Sequence, residues 1–477
     1  MPPAGFLWDR DMTGETSGSG TSLTARLSAY ALKALKQPLP DEVIERAQIH
    51  LLDTLAAMVS GAQLPAGIAA RQFVQSLIGQ PVAAVVGAGF KTNPIDAALA
   101  NAMAAHADET DDAHPASITH PGCAVVPAAL AMAQQSGAKG QDFLKAVVLG
   151  YDFCARFGMA MGGGPFITER GFDTHAFGGS FGATFAAGTL AVKTPSQMAS
   201  VISYGAQQTS GLATLFRDRE HIEKAFVFAG MPSRNGVAAA LMVQSGLPGV
   251  GDVLDGIPSF FSAFGIKAYV AELFDDLGES FAITHTNIKR WTVGSPMQAA
   301  LDSLEHLLRE HPIYREEIAW VDVHLPTEGA QIVDGRKMPS VNAQHLTALM
   351  LIDGTVGFHS SHDESRMFEP AILKMRDKVR LIPSEELMRA QPARQAIVEI
   401  HMQDGRSFSH RTYAVRGTSK NPMSRAEVSA KAYELMQPVF GSERSQSIIE
   451  AVNSITQAES VNTLGHLLGD APLLKVK

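Results

Sequence analysis

The chain has 477 residues, 45% of them hydrophobic and only 18% charged, with a formal net charge of −9. This composition supports a large core divided over two or three domains and excludes extensive disorder. The acidic balance, without any Lys/Arg-rich run, argues against a nucleic-acid partner, so a small anion would have to be drawn in by a local basic site.

The first 22 residues, "MPPAGFLWDRDMTGETSGSGTS", carry no basic segment followed by an apolar stretch, so no secretory signal is expected and the segment reads as a loose tail. From Leu23 to about Pro248 the pattern is helical. "SLTARLSAYALKALK" and "DEVIERAQIHLLDTLAAMVSG" repeat apolar residues at three- and four-residue spacing, the second starting at Pro40-Asp41 and ending at Gly61. Further helices are predicted over 65–78, 96–107, 122–135, 140–157, 178–192, 195–211 and 231–245. Many are rich in Ala and Gly, which lets helices approach closely. No stretch fits a membrane span, and a soluble cytoplasmic protein is expected. Two cysteines, Cys123 and Cys154, do not make a disulfide framework and are expected to be buried thiols.

Near residue 280 the pattern changes. "EIAWVDVHLP", "QAIVEIHM" and "SFSHRTYAV" alternate like strands, the last two joined by a turn at Asp404-Gly405. Helices over 296–310 and 341–352 lie among them. The expected fold is mainly α: a tail over 1–22, a large all-helical bundle domain over 23–280, a smaller inserted α+β lid domain over 281–415, and C-terminal helices over 416–477 that rejoin the bundle.

The chemistry concentrates in "HADETDDAHPASITHPG", His106 to Gly122, between almost purely apolar flanks. Pro115 and Pro121 prevent the preceding helix from continuing, so the cluster belongs to a helix end and the loop after it. Ionised groups framed this way must be paired, solvated in a cleft or shifted in pKa. Three readings are open. His106, Asp108, Asp111, Asp112 and His114 could ligate a metal, although no His-Glu-x-x-His helix or second acidic motif accompanies them. Asp111, Asp112 and Ser117 could serve as caps and turn residues. The cluster could also perform acid–base chemistry on a carboxylate.

On the third reading the stretch resembles the MmgE/PrpD family. The family signature runs N-G-x-x-x-H-x-x-D-x-D-D, then H-P, then T-H-P-(S/G)-x-x-x-x-P. Here Asn101, His106, Asp108, Asp111-Asp112, His114-Pro115, Thr119-His120-Pro121-Gly122 and Pro127 stand against it. "RGFDTHAFGGSFGATFAAG", "EKAFVFAGMPSRNG", "NIKRW" and "GTSKNPMSRAEVSAK" extend the likeness over roughly 23–465. The resemblance implies a helical domain with a lid, a cleft between them and a homodimer. It implies Asp108, Asp112, His120 and His175 as catalytic residues, His120 being oriented by Asp108. It implies Lys224 and Lys289 as carboxylate clamps, with His114, Ser295 and His345 as further substrate-binding groups. No cofactor or metal is expected; the partner is a small anionic carboxylate. Departures stand at Asp173, where the family has histidine, and at Gly294-Ser295 on the lid side. His359 and His362 read as exposed loop residues without a catalytic part. The implied activity is a lyase on a di- or tricarboxylate, dehydration being favoured over decarboxylation. An epimerase and an inactive carboxylate binder are the alternatives.

Overall fold

A computed structural model describes residues 21–77 and 79–469. Nearly all of the expected N-terminal tail lies outside these residues. The helical half comprises α1 (Leu23–Ala34), α2 (Asp41–Gly61), α3 (Pro65–Gln75), α4 (Pro94–Ala105), α5 (Pro121–Ser136), α6 (Gly140–Ala160), α7 (Gly164–Arg170), α8 (Thr174–Ala191), α9 (Pro195–Gln208) and α10 (Ile222–Gln244). A two-stranded ribbon, β1 (Ala83–Ala84) and β2 (Lys91–Thr92), lies between α3 and α4. Except at the start of α10, the predicted starts and stops hold within a few residues, because they rest on hard signals; α7 was not predicted. Pro stands at the first turn of α3, α4, α5 and α9, where its missing N–H costs nothing.

The centre of the bundle is α8. Small and apolar all round, it is buried from Thr174 through Leu190, as a helix without a polar face must be. It packs on α5, α6 and α10. Glycine permits the closest crossing: a Cβ at Gly150 of α6 would stand 2.4 Å from Val125, and one at Gly182 of α8 would stand 2.7 Å from the Cys154 side chain. Beside that crossing, Phe153 stacks on Phe185 at 3.6 Å and Phe157 on Phe181 at 3.7 Å, joining the same two helices. Both cysteines are buried free thiols.

The predicted helix over 231–245 begins nine residues earlier, at Ile222. Residues Phe226–Gly230 form a π-helical turn in its interior. Pro232 explains the distortion: in a regular helix its ring would press on the carbonyl four residues back, and the wider turn relieves this. By length and composition α10 could cross a bilayer, but 72% of its most apolar window is buried within the protein, as for a core helix.

A second core is built from residues between Trp291 and Val415. Its four-stranded sheet has the order β4 (Val379–Ser384), β3 (Ile318–Pro326), β5 (Ala396–Met402), β6 (Ser407–Thr412). The β5–β6 hairpin turns at Asp404-Gly405 as expected, with Gly405 at φ 87°. Strand β4, parallel to β3, was not anticipated; it is short and ends with Pro383-Ser384. Helices α11 (Gln298–Glu310), α12 (Ala343–Asp353) and α13 (Phe358–His362) accompany the sheet. Helix α14 (Arg425–Phe440), started by a Ser424–Glu427 capping box, returns to pack on α2.

Candidate active site

Helix α4 stops at Ala105, with His106 as its C-cap, and α5 starts at Pro121, with His120 as its N-cap. The segment between them is braced from behind. The Asp112 carboxylate accepts from Tyr151 Oη of α6 (2.6 Å), His50 Nδ1 of α2 (2.8 Å) and the Gly122 backbone N–H (3.0 Å). Residue 122 must be glycine here: a Cβ would lie within 3 Å of Thr54, Tyr151 and Asp112. Lys431 of α14 donates to Asp53 (2.7 Å) and to the Thr110 carbonyl (3.3 Å). Asp112 is therefore fully buried and fully engaged. It lies behind the site, whereas the resemblance implied a catalytic residue facing substrate.

In front of this brace stands Asp111. One oxygen accepts from His106 Nδ1 (2.8 Å) and His120 Nδ1 (3.1 Å). Burial opposes its charge, but the two imidazoles outweigh burial and hold the carboxyl well below its usual range. His120 is oriented by Asp111, and the expected partner, Asp108, is turned elsewhere. The Asp108 oxygens accept from the Thr110 N–H (2.9 Å) and hydroxyl (2.7 Å), an Asx turn that points the carboxylate away from His120.

His120 Nδ1 faces a carboxylate, so it carries the proton, and among the described residues none shares a hydrogen bond with Nε2. Burial lowers its pKa to about 4; Lys289 and His175 add to this and Asp111 opposes it. The side chain is 11% exposed. His175 lies 5.2 Å away, ring to ring, and is tethered in the same manner, with Nδ1 at 3.2 Å from both oxygens of Asp173, the N-cap of α8. Phe228, from the π-turn of α10, forms the floor. It stacks on His175 at 3.8 Å and on His106 at 4.7 Å, and lies 5.8 Å from His120.

The two predicted lysines converge beside these rings. Lys224 Nζ lies 2.5 Å from one oxygen of Glu109, and Lys289 Nζ lies 3.4 Å from the other and 3.8 Å from Asp111. Lys224 also lies over Phe228, 5.1 Å from its centroid. Of the expected residues, the structure thus brings together His120, His175, Lys224 and Lys289, with Asp108 at the margin. His114 braces its own loop through Ser117 (2.8 Å), and burial pushes it to about 4. Ser295 opens a short 3-10 turn of the sheet unit and shares no hydrogen bond with the cluster. His345 is sealed in the second core with neither ring nitrogen paired. Burial, then Arg376 and Arg366, lower it to about 4. A sealed imidazole does not meet a diffusing substrate.

Several groups escaped the sequence reading. Glu109 is one: counted from His106, the H-x-x-D spacing falls on residue 109, where this chain has the longer acid. His362 is another. Expected to be exposed, its side chain is only 11% exposed, and Nε2 lies 2.9 Å from Asp108 while Nδ1 donates to the Phe358 carbonyl (2.7 Å). His221, with a left-handed φ of 59°, faces His106 at 5.1 Å, and burial drives it to about 3. Arg394, also left-handed, couples electrostatically to Glu109 from the loop before β5.

His106, Asp111 and Cys123 bring three possible ligand atoms within 4.8 Å of one another. The donor set suits a metal poorly. His106 Nδ1 is engaged by Asp111, and burial raises the Cys123 thiol well above its usual range, against the thiolate a metal needs.

The family description "MmgE/PrpD N-terminal domain" matches residues 25–271 and "MmgE/PrpD C-terminal domain" matches residues 291–457. The chain is similar to a cis-aconitate decarboxylase-like protein of Aspergillus oryzae, 24% identical over 95% of this chain and 98% of that protein. It is similar in the same degree to the cis-aconitate decarboxylase of Aspergillus terreus, 24% identical over 95% of this chain and 97% of that one.

Proposed function

The chain belongs to the MmgE/PrpD family, and from that premise we propose that it is a cofactor-free lyase of a small di- or tricarboxylate, working as a cytoplasmic homodimer. One observation carries the reading: His120, tethered through Nδ1 and free at Nε2, stands beside two converging ammonium groups. Lys224 and Lys289 hold a substrate carboxylate. His120 Nε2 removes the proton from the adjacent carbon, and the lysines stabilise the enolate-like charge that develops. Asp111 fixes the tautomer and balances the imidazolium formed. The C–H electron pair becomes the C=C bond, and a β-hydroxyl leaves as water after taking a proton; His175 is the second imidazole within reach. The unit built around the sheet serves as a lid, which carries His362 onto Asp108 and excludes water.

Dehydration is favoured because a neutral imidazole with a free Nε2 is a base. Decarboxylation is the second reading, supported by what the similar proteins are named for. In it CO₂ leaves and a protonated imidazole delivers hydrogen to the carbanion. A panel of hydroxy- and unsaturated di- and tricarboxylates, followed by NMR in D₂O with and without chelator, tests the proposal. The expected result is chelator-resistant loss of water from one hydroxy acid, with deuterium entering the remaining hydroxy acid at the carbon next to a carboxylate as the proton abstraction reverses. Release of CO₂ with deuterium at the vacated carbon selects the second reading. Turnover abolished by chelator, or no turnover across the panel, overturns both.

A further inference from the structure

Both lysines proposed to clamp substrate already hold a carboxylate. Glu109 spans them, one oxygen on Lys224 at 2.5 Å and the other on Lys289 at 3.4 Å, with its side chain 13% exposed. This is the contact pattern a substrate carboxylate would make. It also pairs both lysines: two ammonium groups face two carboxylates, Glu109 and Asp111, with Arg394 coupled to Glu109 from the loop before β5. An anion arriving beside an ionised Glu109 finds both lysines already paired.

We propose that Glu109 is an internal stand-in for a substrate carboxylate, which the substrate displaces, and that this exchange sets an affinity threshold that polycarboxylates pass and monocarboxylates do not. The inference rests on the reading of Lys224 and Lys289 as carboxylate clamps. The threshold follows from effective concentration. A tethered carboxylate competes as though present at millimolar levels or above, without loss of translational freedom. A free monocarboxylate offers the lysines nothing that Glu109 does not offer, and loses that competition. A ligand with two or three carboxylates adds contacts elsewhere in the cluster and wins it. Glu109 thus keeps the ammonium groups neutralised and in register while the site is empty, and shields them from the small organic acids of the cell. The length of the side chain matters, since one carboxylate has to reach both ammonium groups.

The test is the dissociation constant of an unreactive probe, propane-1,2,3-tricarboxylate, and of acetate, for the full-length protein and three variants. Glu109→Gln is expected to bind both probes more tightly. The gain should be of similar size for the two, roughly tenfold, because the same tethered competitor is removed from both. Lys224→Met and Lys289→Met are expected to weaken the tricarboxylate. If the lysine variants weaken it while Glu109→Gln binds no tighter than wild type, the stand-in is refuted and the clamps survive. If the lysine variants bind as wild type does, the clamp reading itself fails and this inference with it. Should Glu109→Gln unfold, Glu109→Asp keeps the charge but shortens the reach; it is expected to loosen the bridge and tighten the binding of both probes. Unchanged binding of both in that variant refutes the proposal.

Discussion

What His120 can do depends on which of its nitrogens is occupied. With Nδ1 on Asp111 and the pKa pushed down to about 4 by burial, the imidazole is neutral at physiological pH and Nε2 is a base. The direction of the pH dependence follows. The base works when unprotonated, so kcat/KM for the free enzyme holds from neutrality downwards and falls as pH drops through about 4. An acidic limb near 6.5 in that profile would show that burial does not govern this group. Replacing His120 with Asn should lower kcat by roughly 10²–10⁴-fold, while the tricarboxylate probe binds within a few-fold of wild type; calorimetry beside steady-state kinetics reads both. His120 was singled out through the family resemblance, and its place before Pro121-Gly122 put it at a helix start. Its partner was not legible in the sequence. Asp108, Glu109, Asp111 and Asp112 lie in an irregular segment, where no periodicity fixes which way each carboxylate faces. The Asx turn at Thr110 and the pull of Lys431 on its carbonyl decide the matter, and Lys431 lies more than 300 residues away in the chain.

At the scale of elements, the site is assembled from termini and one distortion. The end of α4, the starts of α5 and α8, and the π-turn of α10 each contribute a ring or a charge. The first two could be read from Pro and cap residues; α8 was expected to start at 178, and its cap Asp173 was missed. The π-turn could not, and with it went Phe228, because its signal is a proline acting four residues ahead of itself. The sheet unit contributes through α13. His362 was misread because a five-residue helix shows no periodicity, and only tertiary packing turns its ring inward against Phe358 and Asp108. If that contact closes the site, His362→Ala should raise KM and lower kcat together. Deuterium exchange of the 108–112 segment should quicken, with the unfolding temperature changed by no more than a few degrees. A variant with wild-type kinetics would confine His362 to surface packing.

Across the whole molecule, two cores meet at one acidic segment, and burial there has a cost in acid. His114, His120 and His345 are held near 4 and His221 near 3, against 6.5 for a free imidazole. Each lies below its unfolded value, so the unfolded chain takes up protons first as pH falls. Stability is complete above about 6.5 and is lost between there and about 4. Asp152, raised to about 7 by burial, works in the opposite sense, gaining stability as pH falls through that value. Thermal unfolding followed from pH 7 to 5 should show a net loss, the histidines being the more numerous. His345→Leu, which removes a buried imidazole with no partner, should flatten that loss and leave turnover intact. An unchanged slope would place the acid sensitivity elsewhere. The most direct measurement of the central claim is a crystal structure with propane-1,2,3-tricarboxylate bound. It should show one carboxylate on the Nζ atoms of Lys224 and Lys289, and the neighbouring carbon about 3–3.5 Å from His120 Nε2. A probe lodged away from both lysines, or turned so that no carbon faces His120, would contradict it.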